Sequence, residues 1–309
     1  MNAAIVPRNS PSARRIPCYH TRVPLRVLLL AWLAVSLAAQ QRPSSCPNCA
    51  VWNTPQRPFR VYGNTYYVGT HGLASVLITS PAGDVLIDGA LPESAPLIAA
   101  NIRALGFRMK DIRLILNSHA HYDHAGGIAE LQRLSGARVA ASAWTADVMK
   151  RGAVARDDPQ FGILIPIARV QRVESFQDGE TLHAGGIAIT AHLTPGHTPG
   201  GTSWTWQSCE NSRCLRLVYA DSLTPVSADG FLFSRSPRAL HDFEKSYAFL
   251  ESVPCDILLT PHPDASHLWQ RLAQRSANPD ALIDKSACRA LEENSREQLR
   301  MRLLTERGQ

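Results

Sequence analysis

The hydrophobic and polar positions of this chain divide it into two strand-rich tracts, each followed by helical patterns. Short apolar runs bounded by Gly, Pro and Asn indicate strands, and apolar positions three or four residues apart indicate helices. In the first tract the predicted strands are 59–62, 66–69, 75–79, 84–88, 114–116 and 138–141, and the predicted helices are 94–105 and 128–134. In the second tract the predicted strands are 187–193, 202–206, 215–220 and 257–260, and the predicted helices are 239–250 and 280–304. This order predicts an α/β protein built as a four-layer αββα sandwich, with helices outside two packed sheets.

The N-terminal residues have the pattern of an export signal. Five arginines and no acidic residue precede the apolar stretch 27–35, and Ser36 and Ala38 are the small residues that a signal peptidase requires. We therefore predict a signal peptide at 1–38, an exposed lead segment at 39–55, and one domain at 56–309 in the periplasm. An uncleaved membrane anchor is the alternative, although the apolar stretch is short for a span. After cleavage we expect no membrane association.

The charge of the mature chain argues against a nucleic-acid partner. The formal net charge is +6, and loss of the five signal arginines lowers it to +1. Proteins that bind phosphate backbones carry a basic surface, which an almost neutral chain does not provide.

Six cysteines remain after the signal, an even number that suits an oxidising compartment. Cys209 and Cys214 flank four residues between two predicted strands, so a disulfide can close this hairpin. Cys255 and Cys288 follow one predicted helix and lie within another, where a bridge would tie down the C-terminal helix. Cys46 and Cys49 are either a local structural bridge or two free thiols.

Metal-binding residue types are concentrated after the strand at 114–116. His119 and His121 are two apart on an extended segment and point to the same side, and Asp123 and His124 follow at the turn into a helix. Imidazole and carboxylate are the ligands that zinc takes. Two further histidines, His197 and His262, lie in Pro-rich loops directly after predicted strands, where a rigid scaffold places ligands.

These motifs together resemble the metallo-β-lactamases of class B, third subclass. The matching runs, in chain order, are 117–127, the Pro-Gly-His-Thr-Pro-Gly-Gly loop at 195–201, 219–223 and Pro-His-Pro at 261–263. The resemblance implies the metallo-β-lactamase fold and two zinc ions. It assigns the first zinc to His119, His121 and His197, and the second to Asp123, His124 and His262.

The resemblance also implies a substrate and a mechanism. The chain would open the β-lactam ring of penicillins, cephalosporins and carbapenems with a hydroxide shared by the two zinc ions, and would confer antibiotic resistance. Asp123 would also orient the hydroxide or receive its proton. Ser222 and Thr224, just past a strand, and Gln160, on the irregular stretch 151–169, are candidates to contact the substrate. We expect a monomer.

The chain departs from the family pattern at His71, and the role of Asp221 and several alternative functions are open. Some relatives bridge the lead segment to a Cys near position 71, where this chain has His71, so the partners of Cys46 and Cys49 are open. Asp221 resembles an Asp that bridges the metals in thioesterase and lactonase cousins, and its role is open too. A thioester or lactone hydrolase of the same fold is the alternative function. An exported metal-binding protein without turnover, or a nuclease, fits the motifs and charge less well.

Overall fold

The computed structural model describes Met1 and residues 46–308. Residues 2–38 of the predicted signal peptide and residues 39–45 of the predicted lead segment lie outside the described residues. Within 46–308, twelve strands form two sheets, with the order β1-β2-β3-β4-β5-β6-β7 in the first and β12-β11-β10-β9-β8 in the second. The strands are β1 Phe59–Tyr62, β2 Thr65–Tyr67, β3 Val76–Ile78, β4 Asp84–Ile87, β5 Ile112–Leu116, β6 Arg138–Ser142, β7 Val173–Phe176, β8 Thr181–Ala184, β9 Ile187–Leu193, β10 Thr202–Glu210, β11 Arg213–Tyr219 and β12 Ile257–Leu259.

Helices connect the strands wherever neighbouring strands run parallel. In the described residues the helices are α1 Cys49–Trp52, α2 Ala95–Ala104, α3 Tyr122–Ala125, α4 Ile128–Ser135, α5 Ala143–Arg151, α6 Pro237–Ser252, α7 Leu268–Ala273 and α8 Ala287–Arg307. Strands β1 to β4 pair antiparallel, whereas β4 to β7 pair parallel. Parallel strands need a crossover, and α2, α4 and α5 lie on those crossovers.

Three apolar clusters hold the layers together. Tyr67 and Leu116 of the first sheet meet Trp204 and Tyr219 of the second in the cluster between the sheets. A second cluster packs α2, α4 and α5 on the outer face of the first sheet, and a third packs α6 and α8 on the outer face of the second. Burying apolar surface is worth about 25 cal/mol per Å², so this core supplies the main driving force for folding. The predicted αββα sandwich is confirmed.

No helix among residues 46–308 is both long enough and apolar enough to cross a bilayer.

The structure differs from the predicted elements in the start of the last helix and in two additional strands. The last helix begins at Ala287 rather than at Asp280, because the preceding residues form side-chain turns: Asn278 Oδ1 accepts from the Asp280 amide, and Asp284 Oδ1 accepts from the Ser286 amide. Strands β7 and β8 were not predicted. Neither shows simple alternation of buried and exposed residues, so the period that identifies strands is missing.

The end of the lead segment packs onto the domain. A disulfide joins Cys46 to Cys49, which decides between the two alternatives in favour of the local bridge. The half-buried Trp52 side chain packs against the outer core of the first sheet. Its carbonyl accepts hydrogen bonds from Thr70 Oγ1 at 2.7 Å and from the Gly72 amide at 3.2 Å. The domain boundary at residue 56 stays a prediction.

The other two disulfides join Cys209 to Cys214 and Cys255 to Cys288. The first closes the β10–β11 hairpin across a separation of 5 residues, and the second spans 33 residues and ties α8 to the segment before β12.

On the chain-entropy model, replacing Cys288 by serine should cost about 4 kcal/mol of unfolding free energy, against about 2 kcal/mol for Cys214→Ser. Urea unfolding of both variants measures this. Equal losses would contradict the entropic argument.

Candidate metal centre and active site

One loop after β5 supplies four of the six predicted ligands. β5 ends at Leu116, and His119 follows on the loop that leads to α3. His121 is the extended residue before α3, and Asp123 and His124 lie in its single short turn. The change from extended to helical backbone within four residues divides the side chains into two pairs. The strand-to-helix transition predicted from sequence is therefore what separates the two ligand sets.

Asp88 holds this loop in place through hydrogen bonds. Its Oδ1 accepts from Asn117 Nδ2 and the Ser118 amide, and its Oδ2 accepts from Ser118 Oγ and Tyr219 Oη, at 2.7 to 2.8 Å. Burial raises the pKa of Asp88 to about 6, although His124 and the hydrogen bonds from Ser118 oppose this shift. The four donors join the loop to strands of both sheets, so the ligands are held by the core and not by the loop alone.

The first ligand cluster consists of His119, His121 and His197. One ring nitrogen from each histidine lies within 4.8 Å of the other two, and all three side chains are buried. His197 follows Gly196, whose φ of +136° and whose approach to the Phe243 ring leave no room for a Cβ. The Pro-Gly turn therefore aims His197 from the second sheet towards the first.

The second ligand cluster consists of Asp123, His124 and His262. Asp123 Oδ2 lies 3.2 Å from His124 Nε2 and 3.2 Å from His262 Nε2. Zinc–ligand bonds of about 2.0–2.1 Å at tetrahedral angles place ligand atoms about 3.4 Å apart, so these three atoms suit one zinc ion. His262 is 33% exposed at the side chain, which makes this the more accessible of the two clusters.

Each histidine of the first cluster has a partner on its outer nitrogen. His119 Nδ1 donates to Asp221 Oδ1 at 2.7 Å, and His121 Nε2 donates to Asp158 Oδ2 at 3.0 Å. His197 Nδ1 donates to the Thr224 carbonyl at 2.8 Å. Such bonds fix the tautomer and turn the other nitrogen towards the metal.

The ring nitrogens that face the inside of the clusters are suited to bind a metal. His119 Nε2 is completely buried and has no hydrogen-bond partner among the described residues. A buried polar nitrogen without a partner is costly in a folded protein, and a metal ion removes that cost. The donor set of five imidazoles and one carboxylate is the one that zinc prefers. The two clusters are therefore two metal sites.

The electrostatics of the clusters favour the metal-binding forms of His119, His197 and Asp123. Burial and the neighbouring His124 and His121 lower the pKa of His119 well below its usual value. Burial likewise lowers the pKa of His197. Burial disfavours the charge of Asp123, but His124 and His262 outweigh it and hold the pKa of Asp123 well below its usual range. Neutral imidazole and ionised carboxylate are the forms that bind metal.

Asp221, whose role the sequence left open, lies outside both clusters and orients His119. Burial raises its pKa to about 7. Asp158 and Asp88 were not predicted to have a role, although the structure places both beside the ligands or their loop. Asp158 lies in the irregular stretch 151–169, and the only sequence signal for a role was its position directly before Pro159.

Asp158 connects a metal ligand to the rim of the cleft. While Oδ2 accepts from His121, Oδ1 accepts from the Gln160 amide at 2.8 Å.

Loss of an outer partner of a metal-bound histidine typically lowers metal affinity by about 10–100-fold. We expect Asp158→Ala to lower the affinity of the first metal site by this factor, measured by competition with a chelator. Asp157→Ala, at the exposed neighbour, is the matched control, and equal affinities in the two variants would contradict the assignment.

Two of the three residues predicted to contact the substrate, Gln160 and Thr224, lie beside His197 of the first cluster. Gln160 is buried, and its Nε2 is 3.3 Å from His197 Nε2. Thr224 Oγ1 is 3.2 Å from His197 Nδ1. Ser222 is half-buried and directly follows Asp221. Their contact with substrate stays a prediction.

Comparisons with known proteins agree on the superfamily to which this chain is similar. A model of the metallo-β-lactamase superfamily matches residues 69–210. The solved structure of the Rm3 metallo-β-lactamase is 55% identical, with a TM-score of 0.84 over 85% of this chain and 99% of that chain. The structure of MEM-A1, a subclass B3 metallo-β-lactamase isolated from a soil metagenome library, is 50% identical, with a TM-score of 0.82 over 83% of this chain and 99% of that chain. A hydroxyacylglutathione hydrolase of Rhodopseudomonas palustris (strain HaA2) is 34% identical over 209 residues, which are 64% of this chain and 71% of that protein.

Proposed function

The chain belongs to the metallo-β-lactamase superfamily, in subclass B3, and from this premise we propose that it hydrolyses the amide bond of β-lactam rings. The observation that carries the proposal is that the two metal sites are adjacent. The rings of His119 and His124, one from each cluster, have their centroids 4.4 Å apart. The two clusters therefore adjoin, and metals held by them would act together on one substrate, as a two-metal hydrolase requires.

When bound, two zinc ions would supply Lewis acidity and activate water for attack at neutral pH, so that no nucleophilic Ser or Cys is needed. His119, His121 and His197 are held by their outer partners, which would fix the orientation of these ligands towards the first metal. Asp123 is ionised and can accept a proton through its second oxygen while the first faces His124 and His262. Gln160, Ser222 and Thr224 are the candidates to hold the substrate by hydrogen bonds.

Asp221 supports β-lactam hydrolysis over the thioesterase alternative. In thioesterase and lactonase cousins an Asp in the corresponding segment bridges both metals. In this chain Asp221 Oδ1 bonds to His119 Nδ1, and the carboxylate belongs to neither ligand cluster. The likeness to hydroxyacylglutathione hydrolases makes the thioester test worthwhile.

The deciding experiment measures hydrolysis of three β-lactams and of two alternative substrates by the zinc-loaded protein. We expect a penicillin, a cephalosporin and a carbapenem to be opened, and a glutathione thioester and an acyl-homoserine lactone to be hydrolysed at least about a hundredfold more slowly, because a site discriminates by contacts made in the transition state. Faster turnover of the thioester than of every β-lactam would refute the proposal.

We also propose that the protein is exported to the periplasm, where it would protect its host from β-lactam antibiotics. Three disulfides in residues 46–308 support an oxidising compartment. N-terminal sequencing of the exported protein tests the cleavage near Ala38. The expected monomer and the expected lack of nucleic-acid and membrane partners stay predictions.

A further inference from the structure

A buried carboxylate near the C-terminal end of α8 has no role in the metal sites. The Glu306 side chain is 2% exposed and lies in the last turn of the helix. A negative charge at this end opposes the helix dipole, and burial adds a cost of its own. Local physical chemistry therefore disfavours Glu306 at this position, so a contact outside the helix must compensate.

That contact is made with the segment 222–236, which we call the rim segment. Glu306 Oε1 accepts from the Phe233 amide at 3.1 Å, and Oε2 accepts from the Ser234 amide at 2.7 Å. Burial would raise the pKa of Glu306, but Arg302 and the two amide groups hold that pKa below its usual range. The carboxylate thus stays charged and keeps both backbone groups in place.

Arg302 attaches the same helix to the rim segment at a second point. Its Nε donates to Glu306 Oε1 at 2.7 Å, and its terminal nitrogen donates to Ser227 Oγ at 2.8 Å. The guanidinium also lies over the Phe233 ring, 5.8 Å from its centroid. One ion pair therefore holds both ends of the stretch 227–234, and the planar fork of arginine makes this geometry specific.

The rim segment reaches the metal centre at its other end. The Thr224 carbonyl accepts from His197 Nδ1, and the Ala228 amide donates to the Pro159 carbonyl at 2.9 Å. Pro159 is flanked by Asp158 and Gln160, which bond to His121 and contact His197. Backbone groups of the rim segment thus connect α8 to both loops beside the first metal site.

We propose that Glu306 and Arg302 are positioning residues that hold the rim segment in the shape in which it receives the substrate. The substrate part of this inference rests on the proposed function, whereas the hold on the backbone does not. Neither side chain reaches the metal ligands, so both act through the rim segment alone.

Two conservative variants test the inference. Glu306→Gln keeps the shape but removes the charge, and Arg302→Lys keeps the charge but removes the fork. The matched control is Glu292→Gln on the same helix, because Glu292 is also buried and paired with an arginine, Arg296, but does not bond to the rim segment. We expect the amides of Phe233 and Ser234 to exchange hydrogen about tenfold faster or more in both variants, and to be unchanged in the control.

Kinetics of the zinc-loaded protein supply the second measurement. We expect KM for a β-lactam to rise severalfold in Glu306→Gln and Arg302→Lys while kcat and metal content stay near those of the unmodified protein, because binding weakens equally in the ground state and the transition state. Equal exchange in Glu306→Gln and Glu292→Gln would overturn the inference, and so would an unchanged KM. If the protein opened no β-lactam, the proposed function would fail, and the exchange rates would still decide the role of Glu306.

Discussion

Replacement of Asp123 by asparagine is expected to lower kcat for β-lactam hydrolysis about a thousandfold, within the range for loss of a group that handles a proton. The asparagine has the same shape but cannot accept a proton, and it also removes the one negative ligand of the second cluster. Folding should change little, because asparagine keeps the shape of the side chain. The measurement is steady-state kinetics beside metal analysis and urea unfolding.

The matched control for this variant is Asp264→Asn, an exposed carboxylate two residues after His262. We expect the control to keep full activity and both metals. If Asp123→Asn retained most of its kcat, Asp123 would be a ligand without a role in proton transfer. If it lost the first metal as well as the second, the two clusters would not be separate sites.

Removal of both metals is expected to have the other large effect. A chelator should abolish hydrolysis, and added zinc should restore it, because this site has no other source of activated water. The second cluster should empty first, since His262 is 33% exposed whereas all three histidines of the first cluster are buried. The metal-free protein should also be less stable, by about 2.7 kcal/mol when free zinc is a hundred times its dissociation constant.

His262→Ala separates the two steps of metal loss. It removes one of three protein ligands from the second cluster and none from the first. We expect this variant to hold about one zinc, as the count of intact sites implies. Simultaneous loss of both metals from the unmodified protein, or hydrolysis by the metal-free form, would contradict this account.

The architecture and the ligand motifs were predictable because both are local patterns in the chain. The run from Leu114 to Leu116 identifies a buried strand, and the histidines that follow it have a spacing that the backbone turns into two ligand pairs. His197 and His262, which lie across the cleft from these residues, were predicted from their Pro-rich loops directly after strands. In each case the information lies within a few residues.

The supporting contacts were not predictable because they join distant parts of the chain. Asp88 is 131 residues from Tyr219, and Asp221 is 102 residues from His119. Asp158 lies in a stretch without periodicity, and strands β7 and β8 lack alternation. The side chains that orient ligands become visible only when the two sheets are packed.

Each metal site draws two ligands from the loop after β5 and one from the second half of the chain, His197 for the first site and His262 for the second. A half-formed molecule would offer only two protein ligands to either ion and would release it readily, since binding free energy is here part of folding free energy. Metal uptake should therefore be the last event in the maturation of this protein, after the sheets have joined. A chain that crosses a membrane unfolded would acquire its zinc on the far side, from whatever supply that compartment holds.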